Sequence, residues 1–398
     1  MTPIYFAILF VVAMANCEEF YMLGHEFPRT PLGDQIDKAS VKMLKEAYLS
    51  SDDANVVTSP LGVILLLSLY SSGAAGASRD EITKLLGTSD YKELFDNYSR
   101  LSNKFASMDS NSLTLSNKIY TAKGYTLADQ FSETARAYNS EVETLDFRNP
   151  TEAAKTINEW AERKSNGHIK DPVSEDILSE DIAAALFNII FFQGHWHVPF
   201  EASKTEEKDF HVNRSLTVKK PMMRLQDSLF YKEDNAMGVK MIELPYQEDG
   251  FRMVVILPNE VDGLATVLEK VSQVGLLEDI FDLWPAGREI NLYMPKFEIN
   301  SKLDYTEILP KLDVKGIFSE GAAGIVKERP VAISKFFQEA VVKVDEEGAT
   351  AGAFTGAIMV PMSSNSKPPE PMDFIVDHPF MFTILYKDVI LFIGTYTH

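Results

Sequence analysis

The 398-residue sequence predicts an α+β fold in which helices pack on a large, well-covered sheet. Segments with helical spacing of apolar residues alternate with strand-like segments, but without the regular rhythm of βαβ units. The strand-like segments are continuous apolar runs, which are typical of strands buried on both faces. Apolar residues make up 45% of the chain, enough for a large core, and no linker, charge block or repeat divides it. Although the length alone suggests two or three domains, we expect one domain over residues 18–398.

Three helices are predicted from apolar spacing and end signals. A helix near the start is indicated by the apolar spacing of Ile36, Met43, Leu44, Ala47 and Tyr48. A second runs from Asp80 to Leu86 and stops at Gly87, because glycine commonly ends helices. A third begins with the cap Asn149 followed by Pro150, and closes at Asn166 and Gly167.

Strands are predicted where β-branched and aromatic residues form short apolar runs. The runs are Ala183 to Phe192, Met253 to Leu257, Leu292 to Phe297 and Val389 to Thr397. Together with the helices they imply a large sheet covered by helices.

The first 17 residues, Met1 to Cys17, predict a secretory signal peptide. The apolar stretch is too short to span a bilayer and ends in small residues, so a membrane anchor is disfavoured. Cleavage after Ala15 or after Cys17 fits equally. Cys17 is the sole cysteine, so we expect an extracellular protein held together by core packing without disulfides.

Two glycosylation motifs, at Asn97 and Asn213, agree with a secreted glycoprotein. The 38 Lys and Arg against 58 Asp and Glu give a net charge of −20, which argues against nucleic acid as a partner. Heparin would need a local basic face. Lys92, Arg100 and Lys104 are interleaved with acidic residues, so they predict a solvated helix face instead.

No enzyme motif is present: the sequence lacks a nucleophile elbow, a phosphate-binding glycine loop and a His-Glu-x-x-His zinc motif. His195 and His197 flank Trp196 at a spacing that places both on one face of a strand, where they could grip a metal. No third ligand lies nearby in the sequence. We therefore expect no metal, no cofactor and no catalysis.

The segment from Asp345 to Ser364 runs from an acidic strand end through a glycine into small residues. In an extended chain alternate side chains share a face. One face carries Ala349, Ala351, Ala353 and Thr355, and the other carries Thr350, Gly352, Phe354 and Gly356. The first face is small enough to be buried, so the segment has the capacity to become a strand. The alternative is a flexible Gly/Ala linker.

A series of short motifs occurs in one order from Leu32 to the C-terminus. They include Asn55 to Pro60, Phe187 to Phe192, Gly194 to Phe200, Glu206 to Val212, Pro221 to Met223, Glu243 to Tyr246, Met294 to Phe297, Asp345 to Gly348 and Asp377 to Phe380. With these motifs in this order, the chain resembles the serpin family. Each motif is weak alone, but together they cover nearly the whole mature chain.

The resemblance implies a serpin fold with three β-sheets, about nine helices and an exposed reactive-centre loop, here about residues 346–373. Serpins present this loop to a protease as a substrate, and the protease becomes acylated by the loop. The loop then inserts into the main sheet and traps the enzyme. The hinge would comprise Glu346, Glu347, Gly348, Ala349, Thr350, Ala351, Gly352, Ala353, Phe354 and Thr355.

The resemblance also places the cleaved bond fourteen residues beyond the hinge Gly348, at Met362-Ser363. An uncharged methionine bait suits elastase-like or chymotrypsin-like enzymes. The segment after Ser364 is longer than is usual in the family. If the register is counted back from the strand that starts near Asp377, Lys367 becomes the bait and the target is trypsin-like.

Two supporting clusters follow from the resemblance. Trp196 and Lys296 would lie at the breach, where insertion begins, with Lys296 paired to Glu346. A shutter cluster would contain Ser59 and Asn188. Gln338 stands there in place of the histidine found in many members.

Two functions therefore compete: a suicide inhibitor of an extracellular serine protease, and a non-inhibitory carrier or binding serpin. Non-inhibitory members usually carry bulky or charged residues on the inserting face, and that face is clean here. We expect a monomeric, secreted inhibitor that is independent of membranes.

Overall fold

The computed structural model describes residues 27–51, 53–88, 90–108, 113–348 and 369–398. The predicted signal peptide and loop residues 349–368 lie outside these ranges. The described helices comprise α1 (Pro31–Ser50), α2 (Pro60–Gly73), α3 (Ala77–Leu85), α4 (Tyr91–Ala106), α5 (Asp129–Ala137), α6 (Pro150–Lys164), α7 (Leu264–Val274), α8 (Leu277–Phe281), α9 (Tyr305–Ile308) and α10 (Gly316–Ser319). The last three contain five residues or fewer.

The strands of the described ranges form three sheets, the number that the resemblance implied. They are β1 (Val56–Thr58), β2 (Leu113–Ala122), β3 (Glu141–Leu145), β4 (Ala184–Phe192), β5 (Glu206–Asn213), β6 (Leu216–Asp227), β7 (Phe230–Asp234), β8 (Val239–Pro245), β9 (Phe251–Pro258), β10 (Trp284–Pro285), β11 (Ile290–Pro295), β12 (Phe297–Asp304), β13 (Lys335–Val344), β14 (Met372–Ile375), β15 (Phe380–Tyr386) and β16 (Val389–Tyr396). A seven-stranded sheet has the order β1-β16-β15-β9-β8-β7-β10, and a four-stranded sheet the order β14-β11-β6-β5.

The five-stranded main sheet has the order β12-β13-β4-β2-β3. Its centre is unusual, because β13 and β4 are direct neighbours that run parallel. The pairing extends from Lys335 opposite Ala185 to Val342 opposite Phe192. We call this junction the seam. Each seam strand is antiparallel to its outer neighbour, β12 or β2.

Two hydrophobic cores lie on the main sheet. The larger joins it to the seven-stranded sheet and contains α2, in which every residue from Pro60 to Ser71 is buried. The smaller lies beneath α6, where Ile157 and Trp160 pack with Phe187 and Phe191 of β4 and Val341 of β13. Helix α6 therefore covers both sides of the seam.

The strongest local signals predicted their elements correctly. Asn149 caps α6 by accepting a hydrogen bond from the Glu152 N–H, and Asn166 and Gly167 end it with φ of 52° and 85°. Strands β4, β9 and β16 agree with their predicted runs to within two residues.

The single strand predicted from Leu292 to Phe297 was wrong. The structure divides it at Lys296 into β11 of the four-stranded sheet and β12 of the main sheet. The Lys296 N–H donates to the Pro221 carbonyl at 3.0 Å, outside both ladders. An apolar run has the same pattern whether its strand stays in one sheet or crosses to another.

In the part of the chain that the structure describes, no helix is long and apolar enough to cross a bilayer.

A buried carboxylate joins α1 to the start of α8. Asp37 accepts hydrogen bonds from the N–H groups of Leu276 at 2.9 Å and Leu277 at 3.1 Å. Burial raises the pKa of Asp37 to about 6, although these two hydrogen bonds favour the ionised form. Ionised Asp37 thus weakens the folded state.

Because its pKa is higher in the folded than in the unfolded chain, Asp37 makes stability fall as pH rises from about 4 to about 6. Across this pH window, the free energy of unfolding of the wild type should fall by on the order of 3 kcal/mol relative to that of the Asp37→Asn variant. Denaturant unfolding from pH 4 to 7 measures this difference, with Asp80→Asn at an exposed helix position as the control. Parallel curves for wild type and Asp37→Asn would contradict the assignment.

Candidate functional site at the head of the main sheet

The chain that leaves β13 is tied down before it enters the predicted loop. We call residues 345–348 the loop base. The Phe200 N–H donates to the Glu346 carbonyl at 2.8 Å, and the Trp196 N–H donates to the Glu347 carbonyl at 3.2 Å. The segment 194–200, which follows β4 in sequence, therefore holds the loop base beside the end of the seam.

Trp196 is the side chain on which the loop base rests. It is buried, its indole Nε1 donates to the Asp345 carbonyl at 2.8 Å, and its ring stacks on Tyr246 with a centroid distance of 4.5 Å. The indole thus fixes the first residue after β13 through both packing and a hydrogen bond.

The prediction of a histidine-bearing strand at this point was wrong. Trp196 forms one isolated bridge with Tyr246, and residues 195 and 197 belong to no strand. His195 Nδ1 lies 3.0 Å from a Glu248 carboxylate oxygen. No group of three or more His, Cys, Asp or Glu side chains within the described ranges could hold a metal.

Lys296 and Glu346 form an ion pair of 2.7 Å, and Thr205 Oγ1 donates to the same carboxylate at 2.8 Å. Burial opposes ionisation of Glu346, but the hydrogen bonds from Lys296 and Thr205 outweigh it and lower the Glu346 pKa. Hydrogen bonding to Glu346 likewise raises the Lys296 pKa. Because Lys296 is 43% exposed, we expect the pair to stabilise the fold by about 1 kcal/mol at most.

Gly348 ends the loop base in a conformation that favours glycine. Its φ is 89°, and a Cβ there would meet the Gly194 carbonyl oxygen and lie 2.6 Å from the Trp196 nitrogen. A side chain at this position would both strain the backbone and push the loop base off the segment 194–200. The hinge role of Gly348, which the resemblance implied, stays a prediction, and the contact with Gly194 has no local sequence signal.

A buried polar cluster crosses the seam, and Gln338 of β13 is its centre. The amide oxygen accepts from Thr58 Oγ1 at 2.7 Å and from the Ser59 N–H at 2.9 Å. The amide nitrogen donates to the Ser59 carbonyl and to Asn188 Oδ1, both at 2.7 Å. All four hydrogen-bonding positions of the glutamine are therefore used.

The cluster extends beyond the residues that the sequence suggested. Thr58 Oγ1 also lies 2.5 Å from the hydroxyl of Tyr305, and Asn188 Nδ2 donates to Asn117 Oδ1 of β2 at 2.8 Å. Gly62 of α2 leaves room for the Asn188 amide, because a Cβ at Gly62 would overlap it. The hydrogen bonds thus connect β13, β4, β2 and the start of α2.

The geometry of the seam defines what it can accept. A chain that turned back after Gly348 would run antiparallel to β13, and because β4 is parallel to β13 it would be antiparallel to β4 as well. The seam is therefore a position where one added strand would find an antiparallel partner on each side.

The whole chain was also compared with known proteins. Residues 34–398 match the family model described as Serpin (serine protease inhibitor). The chain belongs to the serpin family. By that description the family consists of protease inhibitors, and this serpin is not an enzyme.

Individual relatives extend over nearly the full length of this serpin. It is 31% identical to Antichymotrypsin-2 of Bombyx mori over 90% of this chain and 96% of that protein. It is 30% identical to Antitrypsin of Bombyx mori over 90% of this chain and 92% of that protein. The crystal structure of Serpin48 from Tenebrio molitor superposes with a TM-score of 0.80 at 30% identity, covering 92% of this chain and 98% of that one.

The predicted loop residues divide between described and undescribed parts of the serpin. Glu346, Glu347 and Gly348 belong to the loop base. The remaining hinge residues, Ala349 to Thr355, lie outside the described ranges, as do Met362, Ser363 and Lys367. The chain is described again before β14, whose Met372 lies opposite Ile290 of the parallel strand β11.

The two glycosylation motifs lie in different environments. Asn213 is the last residue of β5, and its Oδ1 accepts hydrogen bonds from the Ser215 N–H and the Leu216 N–H at the turn into β6. Asn97 lies within α4 beside the fully buried Tyr98, and its Oδ1 accepts from Arg100 at 2.7 Å. The turn presents the more open motif.

Replacing Gln338 with alanine should destabilise the serpin by about 3 kcal/mol, because the Ser59 backbone and the Asn188 amide would lose buried partners. Chemical unfolding measures the effect. The control is Gln273→Ala on the exposed face of α7, which should change the free energy of unfolding by less than about 0.5 kcal/mol. Equal effects for the two variants would argue against a stabilising role for the cluster.

Proposed function

We propose that this serpin is a secreted suicide inhibitor of serine proteases. The protease serine attacks the Met362 carbonyl, the amine of Ser363 departs, and an ester links the enzyme to Met362. The freed segment from Gly348 onward then enters the seam as a new strand. The observation that carries the proposal is the direct parallel pairing of β13 with β4. The chain continues from β13 into a segment whose alternate side chains are small.

Insertion exchanges one ladder for two. The seam ladder comprises eight residue pairs, which must separate. The new strand would form a ladder of similar length on each side, so the net gain is one ladder, or on the order of 8 kcal/mol at ~1 kcal/mol per hydrogen bond. This is comparable to the whole stability of a typical domain, about 5–15 kcal/mol. The uninserted form is therefore metastable.

The composition of the segment suits this step. Ala349, Ala351, Ala353 and Thr355 would share the buried face, and none requires a charge or a large side chain to be desolvated. A carrier serpin has no need of such a face. If this stretch were only a passive linker, nothing would explain why a glycine stands at position 348.

Secretion is supported by the apolar leader Met1 to Cys17 and by the Asn213 motif, whose residues Arg214 and Ser215 are exposed. The target class is set by the bait. Met362 predicts an elastase-like or chymotrypsin-like enzyme, and one relative is an antichymotrypsin. Lys367 predicts a trypsin-like enzyme, and another relative is an antitrypsin. The distance from Gly348 favours Met362.

Placing a charge on the buried face of the segment should turn the inhibitor into a substrate. Ala351→Arg would bury a guanidinium during insertion, at a cost of several kcal/mol, so hydrolysis would overtake trapping. We expect the fraction of enzyme trapped in denaturant-resistant complex, measured by gel, to fall at least tenfold. Thr350→Arg, on the opposite face, is the matched control and should keep most of the complex. Equal loss in both variants would argue against insertion with this parity.

The bait is identified by the peptide that cleavage releases. Cleavage after Met362 gives a 36-residue C-terminal peptide beginning at Ser363, whereas cleavage after Lys367 gives one of 31 residues beginning at Pro368. Mass spectrometry of the complexes should find the first. Met362→Arg should move inhibition to a trypsin-like enzyme, and Lys367→Ala should change rates by less than about twofold. The reverse pattern would assign the bait to Lys367.

A further inference from the structure

Trp284 is the most exposed large apolar side chain in the described part of the chain. It is 68% exposed, and Pro285 beside it is also exposed. The two residues constitute β10, which pairs with β7 at the edge of the seven-stranded sheet. Exposed tryptophan is uncommon unless it serves a contact, and tryptophan is enriched among the residues that dominate binding energy.

This surface lies beside the strand to which the reactive-centre loop returns. Trp284 is the register partner of Tyr231, whose ring lies 6.0 Å from the ring of Phe374 in β14. At the start of β14, the Met372 N–H donates to the Glu289 carbonyl at 2.9 Å. Trp284 and Pro285 therefore lie near β14 and near the start of β11.

The border of the surface is mainly acidic. Asp282 lies two residues before Trp284 and is exposed, as are Glu289 and Glu233. The nearby cation Lys232 lies 2.7 Å from Asp279 and 3.5 Å from Asp282. Arg288, and Lys240 opposite Glu233, add two exposed positive charges. A partner for this surface should accordingly present apolar groups within a basic rim.

We propose that Trp284 and Pro285, with the carboxylates of Asp282, Glu233 and Glu289, form an accessory docking surface for the protease that the loop captures. This inference rests on the proposed inhibitory function. It adds that the target carries a basic rim beside its active-site cleft, so that target choice depends on a surface outside the loop as well as on the bait.

The chain lengths allow one enzyme to contact the bait Met362 and Trp284 at the same time. Met362 precedes Met372 by ten residues, a tether of at most about 35 Å. Pro285 precedes Ile290, the partner of Met372, by five residues, or at most about 18 Å of chain. A protease domain of about 230 residues has a radius of gyration of about 17 Å. The chain path from Met362 to Pro285 is thus at most about 53 Å, and a compact body of this radius of gyration is about 44 Å across. An enzyme held on the bait would reach Trp284 when the loop is less than fully extended.

Two other occupants fit less well. A second copy would bring a like-charged molecule of net charge −20 to an acidic border. Addition of a strand from another protein is disfavoured because β10 contains two residues and one is proline, which has no N–H to donate. A basic protease tethered by the neighbouring loop meets neither obstacle.

The test measures the second-order rate of complex formation with the enzyme that reacts fastest among chymotrypsin-like, elastase-like and trypsin-like proteases. Trp284→Ala should lower this rate about tenfold without changing the number of inhibitor molecules consumed per enzyme, since docking precedes insertion. Leu49→Ala, at a residue 64% exposed at the end of α1, is the matched control, and its rate should stay within twofold of the wild-type rate.

Raising NaCl from 0.05 to 0.5 M should slow complex formation by the wild type more than complex formation by Asp282→Asn.

Each outcome decides the proposal. Complexes that form equally fast with Trp284→Ala and Leu49→Ala overturn the docking surface and leave the inhibitory function intact. If wild type is cleaved without being trapped, kcat/KM for loop cleavage replaces the rate: a tenfold loss in Trp284→Ala supports the surface, and no loss overturns it. If wild type is neither trapped nor cleaved, both proposals fail. Self-association by sedimentation that Trp284→Ala abolishes assigns the surface to a second copy instead.

Discussion

The parallel pairing of β4 with β13 is the constraint on which the rest of the structure depends. It closes the main sheet with a ladder of the slightly less stable kind, although the sheet could accommodate two antiparallel ladders at the same position. Gln338 stabilises the closed seam, because its side-chain amide donates to both Ser59 and Asn188. The loop base closes it at the end, through Trp196 and Gly348. In the proposed mechanism, these contacts hold the sheet closed in a state that is not its lowest in free energy.

The covering of the seam has a mechanical consequence. Side chains of β4 and β13 share one core with α6. A strand added between β4 and β13 would increase the distance between these two strands by about 5 Å. The side of α6 toward β2 and β3 is held by buried Lys118, which binds Glu143 at 2.6 Å and faces the Trp160 ring at 5.5 Å. In the proposed mechanism, insertion would therefore disturb the packing of α6 on β4 and β13.

Local chemistry explains which predictions were correct. The Asn149 cap, the Gly167 stop and the apolar runs of β4 and β16 act through neighbours in sequence, so sequence reasoning found them. The division at Lys296 and the absence of a strand around Trp196 were missed, because both depend on which sheet receives the chain. The partners Tyr305 and Asn117 were missed in the buried cluster for a similar reason. Neither carries a signal that distinguishes it from an ordinary polar core residue.

By itself the sequence determined the alternation of small side chains after Gly348, the candidate baits and the order of motifs, because these properties belong to consecutive residues. Only the tertiary structure decided what that segment would join. Strand register brings Gln338 opposite Asn188, 150 residues away, and places Gly348 against Gly194. It also sets exposed Trp284 beside the loop's return strand. Contacts between distant segments follow from topology and register, which no local pattern of side chains specifies.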